Sequence, residues 1–289
     1  MNSAVKTMLD QRSPSTKEEV KNALKEIIQE IVLLALSRAK FFEHAAFYGG
    51  TALRLFYGLD RFSEDIDFSL LHQDSTFDLG KYCTFVKDEL LLYGFKATVE
   101  KKAKKIVSQI DSAFVKANTL RHMIHVVDQK FTRSGIHSDE LLKVKFEVDI
   151  HPPAAAGYEV QFLYQPLPFS VKLYDPPSLF AGKMHAFLCR NIRRASVKGR
   201  DVYDVVWLTA RDIPINKTHL EHRMMQSGHL KEDEHISEEQ LRNKIRERAA
   251  SIDYDAARQD VRVFLTDSRA TDVWSAEFMD DVVKRIRFV

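Results

Sequence analysis

The sequence predicts a mixed α/β fold of the α+β type, in which a mixed β-sheet with flanking helices precedes a mostly helical C-terminal half. Three observations predict this architecture. An amphipathic helical segment lies near the start of the chain, stretches that alternate between apolar and polar residues continue as far as residue 150, and helical periodicity dominates after Pro176. A period of two is typical of half-buried strands, whereas apolar residues three and four positions apart are typical of helices packed on a core.

The first elements are a long helix and a strand–turn–helix unit. Residues 16–19, Thr-Lys-Glu-Glu, have the spacing of a capping box, and apolar residues between positions 20 and 35 share one helical face. Residues 45–48 form a short apolar run that Gly49 and Gly50 end, and helical periodicity resumes over residues 51–57. We therefore expect a tight glycine turn between a strand and a helix.

Two predicted strands carry acidic residues on one face. Residues 65–70 alternate with a period of two, which places Asp65 and Asp67 on the same side. Residues 143–150 alternate as well, with apolar side chains on one face, and Pro152 and Pro153 follow. The polar face of this second strand carries Lys145, Glu147 and Asp149.

The remaining segments complete the predicted fold. We expect helices over residues 77–93, 178–191, 200–210, 238–248 and 253–265, strands over 95–100 and 106–115, and loops over 216–233. With 45% hydrophobic residues, the 289-residue chain can bury the core of one large domain or of two closely packed ones. The predicted division separates residues 1–172, with the sheet and the N-terminal helix, from the helical residues 173–289.

The amino-acid composition of the chain limits the classes of function that it can have. The net charge of +2 is close to balance, so only local clusters of basic residues bear on nucleic-acid binding. Cys83 and Cys189 cannot form a disulfide framework, and the histidines lack a consistent metal-ligand spacing. Neither an export signal nor a membrane-spanning apolar segment is expected. The sequence therefore predicts a cytoplasmic protein with reduced thiols and no membrane partner.

A glycine turn and a pair of aspartates indicate the chemistry. Gly49-Gly50-Thr51 is followed, after thirteen residues, by Asp65 and Asp67. Glycines let the backbone approach phosphate oxygens, and the N–H groups of a helix that starts at Thr51 favour an anion. Neighbouring carboxylates repel unless a cation neutralises them, and their oxygens suit Mg²⁺ or Mn²⁺. Each feature alone is common on turns and solvated strands, but together they predict a metal and phosphate site.

The same residues resemble a known family. Residues 48–55, Tyr-Gly-Gly-Thr-Ala-Leu-Arg-Leu, and residues 61–68, Arg-Phe-Ser-Glu-Asp-Ile-Asp-Phe, are similar to motif I of AbiEii/AbiGii-type nucleotidyltransferases of the DNA polymerase β-like superfamily. The resemblance implies a nucleotidyltransferase fold and the transfer of an NMP from an NTP to an acceptor. It also implies that Asp65 and Asp67 hold Mg²⁺ or Mn²⁺. The residues it implies for the nucleotide are Gly49, Gly50, Thr51, Arg61 and Ser63.

A third carboxylate is expected on a neighbouring strand. Glu147 lies in Lys-Phe-Glu-Val, which is similar to a family pattern, whereas Asp149 is shorter and nearer the strand end. Either of them completes the metal site or activates the acceptor hydroxyl, and the sequence leaves the choice open. A solvated strand face is the alternative for both residues.

The C-terminal domain is expected to contribute to the active site. Residues 179–186 resemble the family helix that carries a lysine, and residues 200–204, Arg-Asp-Val-Tyr-Asp, resemble the element that follows. The resemblance implies roles for Lys183, which binds the nucleotide, and Asp204. Arg200, as a nucleotide ligand, and Asp201 are second candidates, and an intrahelical ion pair is the alternative.

By resemblance, the chain is expected to be the toxin of a type IV toxin–antitoxin or abortive-infection pair, with a separately encoded antitoxin. The expected acceptor is RNA, plausibly the acceptor end of tRNA. Two basic clusters would attract it: residues 101–105, and residues 190–200 with Arg193, Arg194 and Lys198. Solvated loops are the alternative for both clusters. Two other functions stay open: a noncatalytic module that binds NTP or RNA, and transfer to a small-molecule or protein hydroxyl.

Overall fold

The computed structural model describes residues 2–101, 119–128, 142–190 and 198–289. The strands of this part are β1 (Ala45–Tyr48), β2 (Asp65–Leu70), β3 (Phe95–Lys101), β4 (Thr119–Asp128), β5 (Leu142–Asp149), β6 (Tyr158–Leu163) and β7 (Phe169–Tyr174). The α-helices are α1 (Ser3–Arg12), α2 (Lys17–Arg38), α3 (Gly49–Tyr57), α4 (Gly80–Leu92), α5 (Pro176–Cys189), α6 (Gly199–Thr209), α7 (Lys217–Gln226), α8 (Glu238–Ala250), α9 (Tyr254–Arg262) and α10 (Ala276–Arg285). Short 3₁₀ turns cover Phe41–Glu43 and Ser268–Thr271.

The strands form one mixed sheet in the order β3-β4-β5-β2-β1-β7-β6. β2 runs antiparallel to β1 and parallel to β5, and β1 runs parallel to β7. Helices dominate after β7. The predicted mixed α/β fold with a mostly helical C-terminal half is confirmed. The predicted acidic strands are β2 and β5, which are neighbours in the middle of the sheet.

The buried face of the central strands explains their alternation. Phe68 of β2 packs against Phe47 of β1 and Phe146 of β5, with ring centroids 5.2 and 5.3 Å apart. Phe41 closes this cluster at 4.8 Å from Phe68. All four rings are buried, and each contributes about 1.5–3 kcal/mol through burial. Because these apolar residues fix the register, Asp65 and Asp67 are held on the opposite face of β2.

Helix α2 covers part of the sheet and of α4. It packs against β5, β7 and α4. The predicted capping box is present: the Thr16 hydroxyl accepts from the Glu19 N–H at 3.1 Å, and the Glu19 carboxylate accepts from the Thr16 N–H at 3.2 Å. Ile27, Ile28 and Ile31 are fully buried.

One sequence prediction in the C-terminal half is wrong. Residues 216–233 were expected to form loops because of their polar composition, but α7 occupies Lys217–Gln226. Asn216 caps this helix by accepting a hydrogen bond from the His219 N–H at 3.0 Å. Leu220 and Met224, four positions apart, are buried and supply the packing that stabilises it.

Other elements escaped the sequence patterns, namely α1, α10, β4, β6 and β7. The predicted strand over 106–115 lies outside the described residues. The predicted domain division between residues 172 and 173 stays a prediction. This division falls within β7, which continues to Tyr174. Among the described helices, none combines the length and the apolar character needed to cross a bilayer. Cys83 and Cys189 are free thiols, as expected.

Candidate active site

The bend between β1 and α3 lies directly against Asp67. Gly49 has a φ of +89°, and a Cβ at this position would meet Oδ2 of Asp67 at 2.6 Å. A Cβ at Gly50 would meet the Ser63 hydroxyl at 2.7 Å, Nη2 of Arg61 at 3.0 Å and Nζ of Lys183 at 3.5 Å. The two glycines therefore let the backbone pass between a carboxylate and two cations, where a side chain would not fit.

The N-terminus of α3 starts at this bend. Tyr48 is the N-cap residue, and no side chain of the described residues caps the helix. Backbone N–H groups at such a position attract an anion. The Thr51 hydroxyl is fully buried, contacts the Ser63 hydroxyl at 3.0 Å and donates to the carbonyl of Asp65. Its side chain therefore fastens the bend to β2.

Three carboxylates gather on the polar face of β2 and β5. Asp67 is in register with Glu147, and Asp65 is in register with Lys145. Nζ of Lys145 lies 2.9 Å from Glu147 and 3.7 Å from Asp65. Burial, followed by the charges of Asp65 and Glu147, raises the pKa of Asp67 to about 7. Three carboxylates and Lys145 therefore share one face of the sheet beside the glycine bend.

Asp149 lies two register pairs beyond Glu147 along β5, opposite Ser69. Its Oδ1 accepts a hydrogen bond from the His151 N–H at 2.9 Å. Burial raises its pKa, although Arg223 acts in the opposite direction. Glu147, not Asp149, is the residue in register with Asp67.

Arg223 of α7 is a residue at this site that the sequence patterns missed. Its guanidinium lies 5.6 Å from the centroid of the Tyr48 ring, and Nε donates to Nε2 of His219 at 3.3 Å. A Cβ at Gly182 would lie 3.7 Å from its guanidinium carbon. No sequence pattern indicated this placement of Arg223, because it depends on the packing of α7 against α5.

A buried ion-pair network joins the two halves of the chain. Nε and Nη2 of Arg61 donate to the two oxygens of Asp204 at 2.6 and 2.7 Å, and Nη1 donates to the Phe62 carbonyl at 3.0 Å. Nζ of Lys183 lies 2.9 Å from Asp204. Burial opposes ionisation of Asp204, but Arg61 and Lys183 outweigh it and lower its pKa to about 2. The network holds Lys183 beside Gly50.

Arg200 and Asp201 of α6, the second candidates for the site, contact other residues. The guanidinium carbon of Arg200 is 4.2 Å from the centroid of the Phe264 ring. Asp201 is buried and pairs with Arg190 at 3.3 Å. Arg193 and Arg194, like Lys102, Lys104 and Lys105, lie outside the described residues.

Comparison with known protein families decides the relationship. A model of the family described as "Nucleotidyl transferase AbiEii toxin, Type IV TA system" matches residues 31–280. The chain belongs to the AbiEii family. It is a nucleotidyltransferase, and membership in this type IV toxin–antitoxin family implies an NTP substrate and an antitoxin partner. The predicted family is therefore confirmed.

Solved structures support the fold of this AbiEii protein. JHP933 from Helicobacter pylori is 18% identical with a TM-score of 0.54, and the match covers 93% of this chain and 92% of that one. A candidate nucleotidyltransferase from H. pylori is 17% identical with a TM-score of 0.50, over 90% and 89% of the two chains. The search of curated proteins gives no match. These structural likenesses establish the nucleotidyltransferase fold.

The glycine bend gives a first testable prediction for this AbiEii protein. Gly49→Ala places a methyl group against Asp67, whereas Gly58→Ala, at a φ of +76°, meets nothing within 4 Å. Both substitutions should lower the free energy of unfolding by about 1–2 kcal/mol, because alanine is strained in the left-handed backbone conformation of these positions. Only Gly49→Ala should also reduce kcat/KM, by about 100-fold, because it displaces a carboxylate of the site.

Thermal unfolding and steady-state transfer rates of the two variants measure this difference. Equal loss of activity in Gly58→Ala and Gly49→Ala would assign the effect to backbone strain and not to the site.

Proposed function

We propose that this nucleotidyltransferase transfers an NMP from an NTP to RNA, with tRNA as the expected acceptor, in a reaction that depends on Mg²⁺ or Mn²⁺. The observation that carries the proposal is the gathering of Asp65, Asp67 and Glu147 beside the Gly49–Gly50 bend. Asp67 is in register with Glu147, and it lies where a Cβ of Gly49 would touch it. Metal ligands and a phosphate cradle thus meet at one point.

The donor set fits a hard divalent cation. Carboxylate oxygens are the ligands that Mg²⁺ and Mn²⁺ prefer. Burial, followed by Asp65 and Glu147, raises the pKa of Asp67 to about 7, which supports the binding of a cation beside this residue. Asp65, Asp67 and Glu147 would hold the cation. When bound, it supplies charge neutralisation for phosphate oxygens and lowers the pKa of the acceptor hydroxyl.

The chain's own residues account for binding and for proton transfer. The acceptor hydroxyl oxygen forms a bond to the α-phosphorus, the bond to the pyrophosphate oxygen breaks, and pyrophosphate leaves. N–H groups at Gly50 and Thr51 bind phosphate oxygens, and Lys183 stabilises the charge that develops on the leaving pyrophosphate. Asp149, whose pKa is raised by burial, accepts the proton of the hydroxyl.

Arg61 and Asp204 position Lys183 in this proposal. Asp204 contacts both Arg61 and Lys183, so the lysine is held near Gly50. Arg61 uses Nε and both Nη atoms in protein contacts and therefore acts on the nucleotide through Asp204.

Clustered cations near α6 support RNA as the acceptor. Burial, followed by Arg190 and Arg200, lowers the pKa of Lys198, although Asp201 and Asp260 act in the opposite direction. Such a cluster binds a phosphate backbone without reading its sequence. Transfer to a small-molecule or protein hydroxyl is the second candidate, and a noncatalytic module that binds NTP or RNA is the third.

Incubation of the full-length protein with each α-labelled NTP, Mg²⁺ and total RNA tests the proposal. We expect label in tRNA and release of pyrophosphate, both absent in Asp65→Asn. Label found only in protein would replace RNA with a protein acceptor. Binding of NTP without pyrophosphate release would make the module noncatalytic and contradict the proposal.

Two isosteric variants of β5 test the separate roles proposed for its carboxylates, metal binding by Glu147 and proton transfer by Asp149. We expect Glu147→Gln to weaken Mn²⁺ binding by at least about tenfold, since it removes a metal ligand. Asp149→Asn should leave Mn²⁺ affinity unchanged and reduce kcat by about 10²–10⁴-fold, as loss of a general base does. Calorimetric Mn²⁺ titration and single-turnover rates separate the two effects, and the reverse pattern would make Asp149 the ligand.

A further inference from the structure

A cluster of two histidines and a cysteine lies apart from the carboxylates. His185 and Cys189 are four residues apart on α5 and therefore share one face, and His229 follows α7. Each offers one ligand atom, and these atoms all lie within 4.8 Å of one another. We propose that His185, Cys189 and His229 form a binding site for a thiophilic divalent metal ion, Zn²⁺, that clamps α5 to the segment after α7.

The ligand types select the metal. Imidazole nitrogen and thiolate sulfur suit Zn²⁺, whereas Mg²⁺ and Mn²⁺ prefer the oxygens of the carboxylate cluster. Zinc bonds of about 2.0–2.3 Å require ligand atoms roughly 3.4–3.8 Å apart, so distances within the cluster must shorten by about 1.4 Å at most. His229 can supply this movement because its side chain is exposed and follows Gly228, whose φ is +75°. Three protein ligands leave one tetrahedral position for water.

Ser227 directs both imidazoles toward a common point. Its hydroxyl lies 2.8 Å from Nε2 of His185 and 2.9 Å from Nδ1 of His229. The two rings are perpendicular, with centroids 6.4 Å apart. An ion between the rings would take over the bonds that the hydroxyl now makes to both nitrogens.

Zn²⁺ binds neutral imidazole nitrogens and thiolate sulfur, so the protonation of the ligands matters for its binding. Burial, followed by Arg223, lowers the pKa of His185 to about 3, so its imidazole is neutral and need not lose a proton. Burial raises the pKa of Cys189 to about 12, although Lys244 and Arg248 favour the thiolate. Metal binding therefore exchanges the thiol proton for a sulfur–metal bond and releases the proton to solvent.

The cluster lies on the helix that carries Lys183 but on another side of it. Lys183 precedes His185 by two residues, which is about 200° around an α-helix. Lys183 contacts Asp204, whereas His185 contacts Ser227. The ion would thus fix the helix that carries Lys183 from outside the catalytic site, and the inference does not depend on the proposed reaction.

The test uses the metal-free full-length protein in excess Mg²⁺, titrated with Co²⁺ as a spectroscopic probe and then with Zn²⁺. We expect one equivalent of Co²⁺ with a near-ultraviolet thiolate-to-cobalt band, which Zn²⁺ abolishes by displacement. Cys189→Ser should remove the band, and Cys189→Ser and the exposed His229→Ala should each weaken Zn²⁺ binding by at least about tenfold. Zn²⁺ should also raise the Tm of the wild type.

Matched variants show whether the effect belongs to this cluster. Cys83→Ser removes the other thiol, and His235→Ala removes an exposed histidine that pairs with Glu221. Both should keep the band and the Zn²⁺ affinity, as should Asp65→Asn. A band that survives in Cys189→Ser, or a wild type that binds no Co²⁺ or Zn²⁺, would overturn the proposal.

Discussion

Asp67→Asn is expected to abolish nucleotidyl transfer while making the metal-free protein more stable at pH 8. Loss of a charged metal ligand removes several kcal/mol of transition-state stabilisation, which corresponds to a fall of kcat/KM by at least about 1,000-fold. The substitution replaces a part-buried carboxylate whose charge is opposed by Asp65 and Glu147. Activity and stability should therefore change in opposite directions.

The direction of the stability effect follows from the pKa. Asp67 has a pKa of about 7 in the folded protein, well above its usual value, so the folded state is favoured while the group is protonated. This contribution is lost as the pH rises through 7. Removal of the charge should thus raise the Tm at pH 8, where wild-type Asp67 is ionised.

Transfer assays and thermal unfolding without divalent metal measure both quantities. Asp88→Asn, on an exposed position of α4, is the matched control and should change neither. If Asp67→Asn destabilised the protein at pH 8, Asp67 would be a structural residue, and the loss of activity would reflect unfolding.

Among the substitutions proposed for this protein, Arg61→Met is expected to lower the free energy of unfolding the most. The side chains of Arg61 and Asp204 are 3% and 1% exposed, and their pairing is bidentate. Removal of one partner from such a buried pair costs about 3–5 kcal/mol, because the other charge stays buried. The control Arg246→Met breaks a 3.0 Å pair with Asp280 whose side chains are 35% and 41% exposed, and it should cost about 0–1 kcal/mol.

Acidification should reduce this difference between wild type and Arg61→Met. The pKa of Asp204 is lowered to about 2, so the ionised carboxylate stabilises the wild type fully above its unfolded pKa of about 3.9. That stabilisation is lost as the pH falls through 2. Urea unfolding at pH 7 and at pH 3 measures how the loss of unfolding free energy in Arg61→Met depends on pH. If Arg61→Met and Arg246→Met lost the same unfolding free energy at pH 7, the buried ion-pair network would not stabilise the protein as proposed.

The sequence was sufficient to locate the carboxylates of the sheet because local patterns encode them. Alternation along residues 65–70 places Asp65 and Asp67 on one face, and the glycine pair marks the bend. Our proposal that Glu147, and not Asp149, is the metal ligand rests on the register of β2 against β5, which no local pattern states. Register depends on packing of the buried face, here by Phe68 and its neighbours.

Contacts between distant segments were beyond the sequence patterns. Arg61 and Asp204 are 143 residues apart in the sequence. The motif around each residue marks it as a charged residue of interest, but neither motif indicates that the two side chains form an ion pair. Helix α7 was missed because its buried face is narrow, with Leu220 and Met224 among polar residues. Arg223 and His229 reach their sites through that helix and the segment after it, so tertiary packing decides their placement.

Binding of Mn²⁺ to the full-length protein, measured by isothermal titration calorimetry for the wild type and for Asp65→Asn, Asp67→Asn and Asp88→Asn, tests the central claim most directly. The account predicts that the wild type and Asp88→Asn bind the ion with the same affinity. It predicts a loss of at least about tenfold in Asp65→Asn and Asp67→Asn. Equal affinity in all four proteins would show that the carboxylates beside the glycine bend do not hold the metal ion.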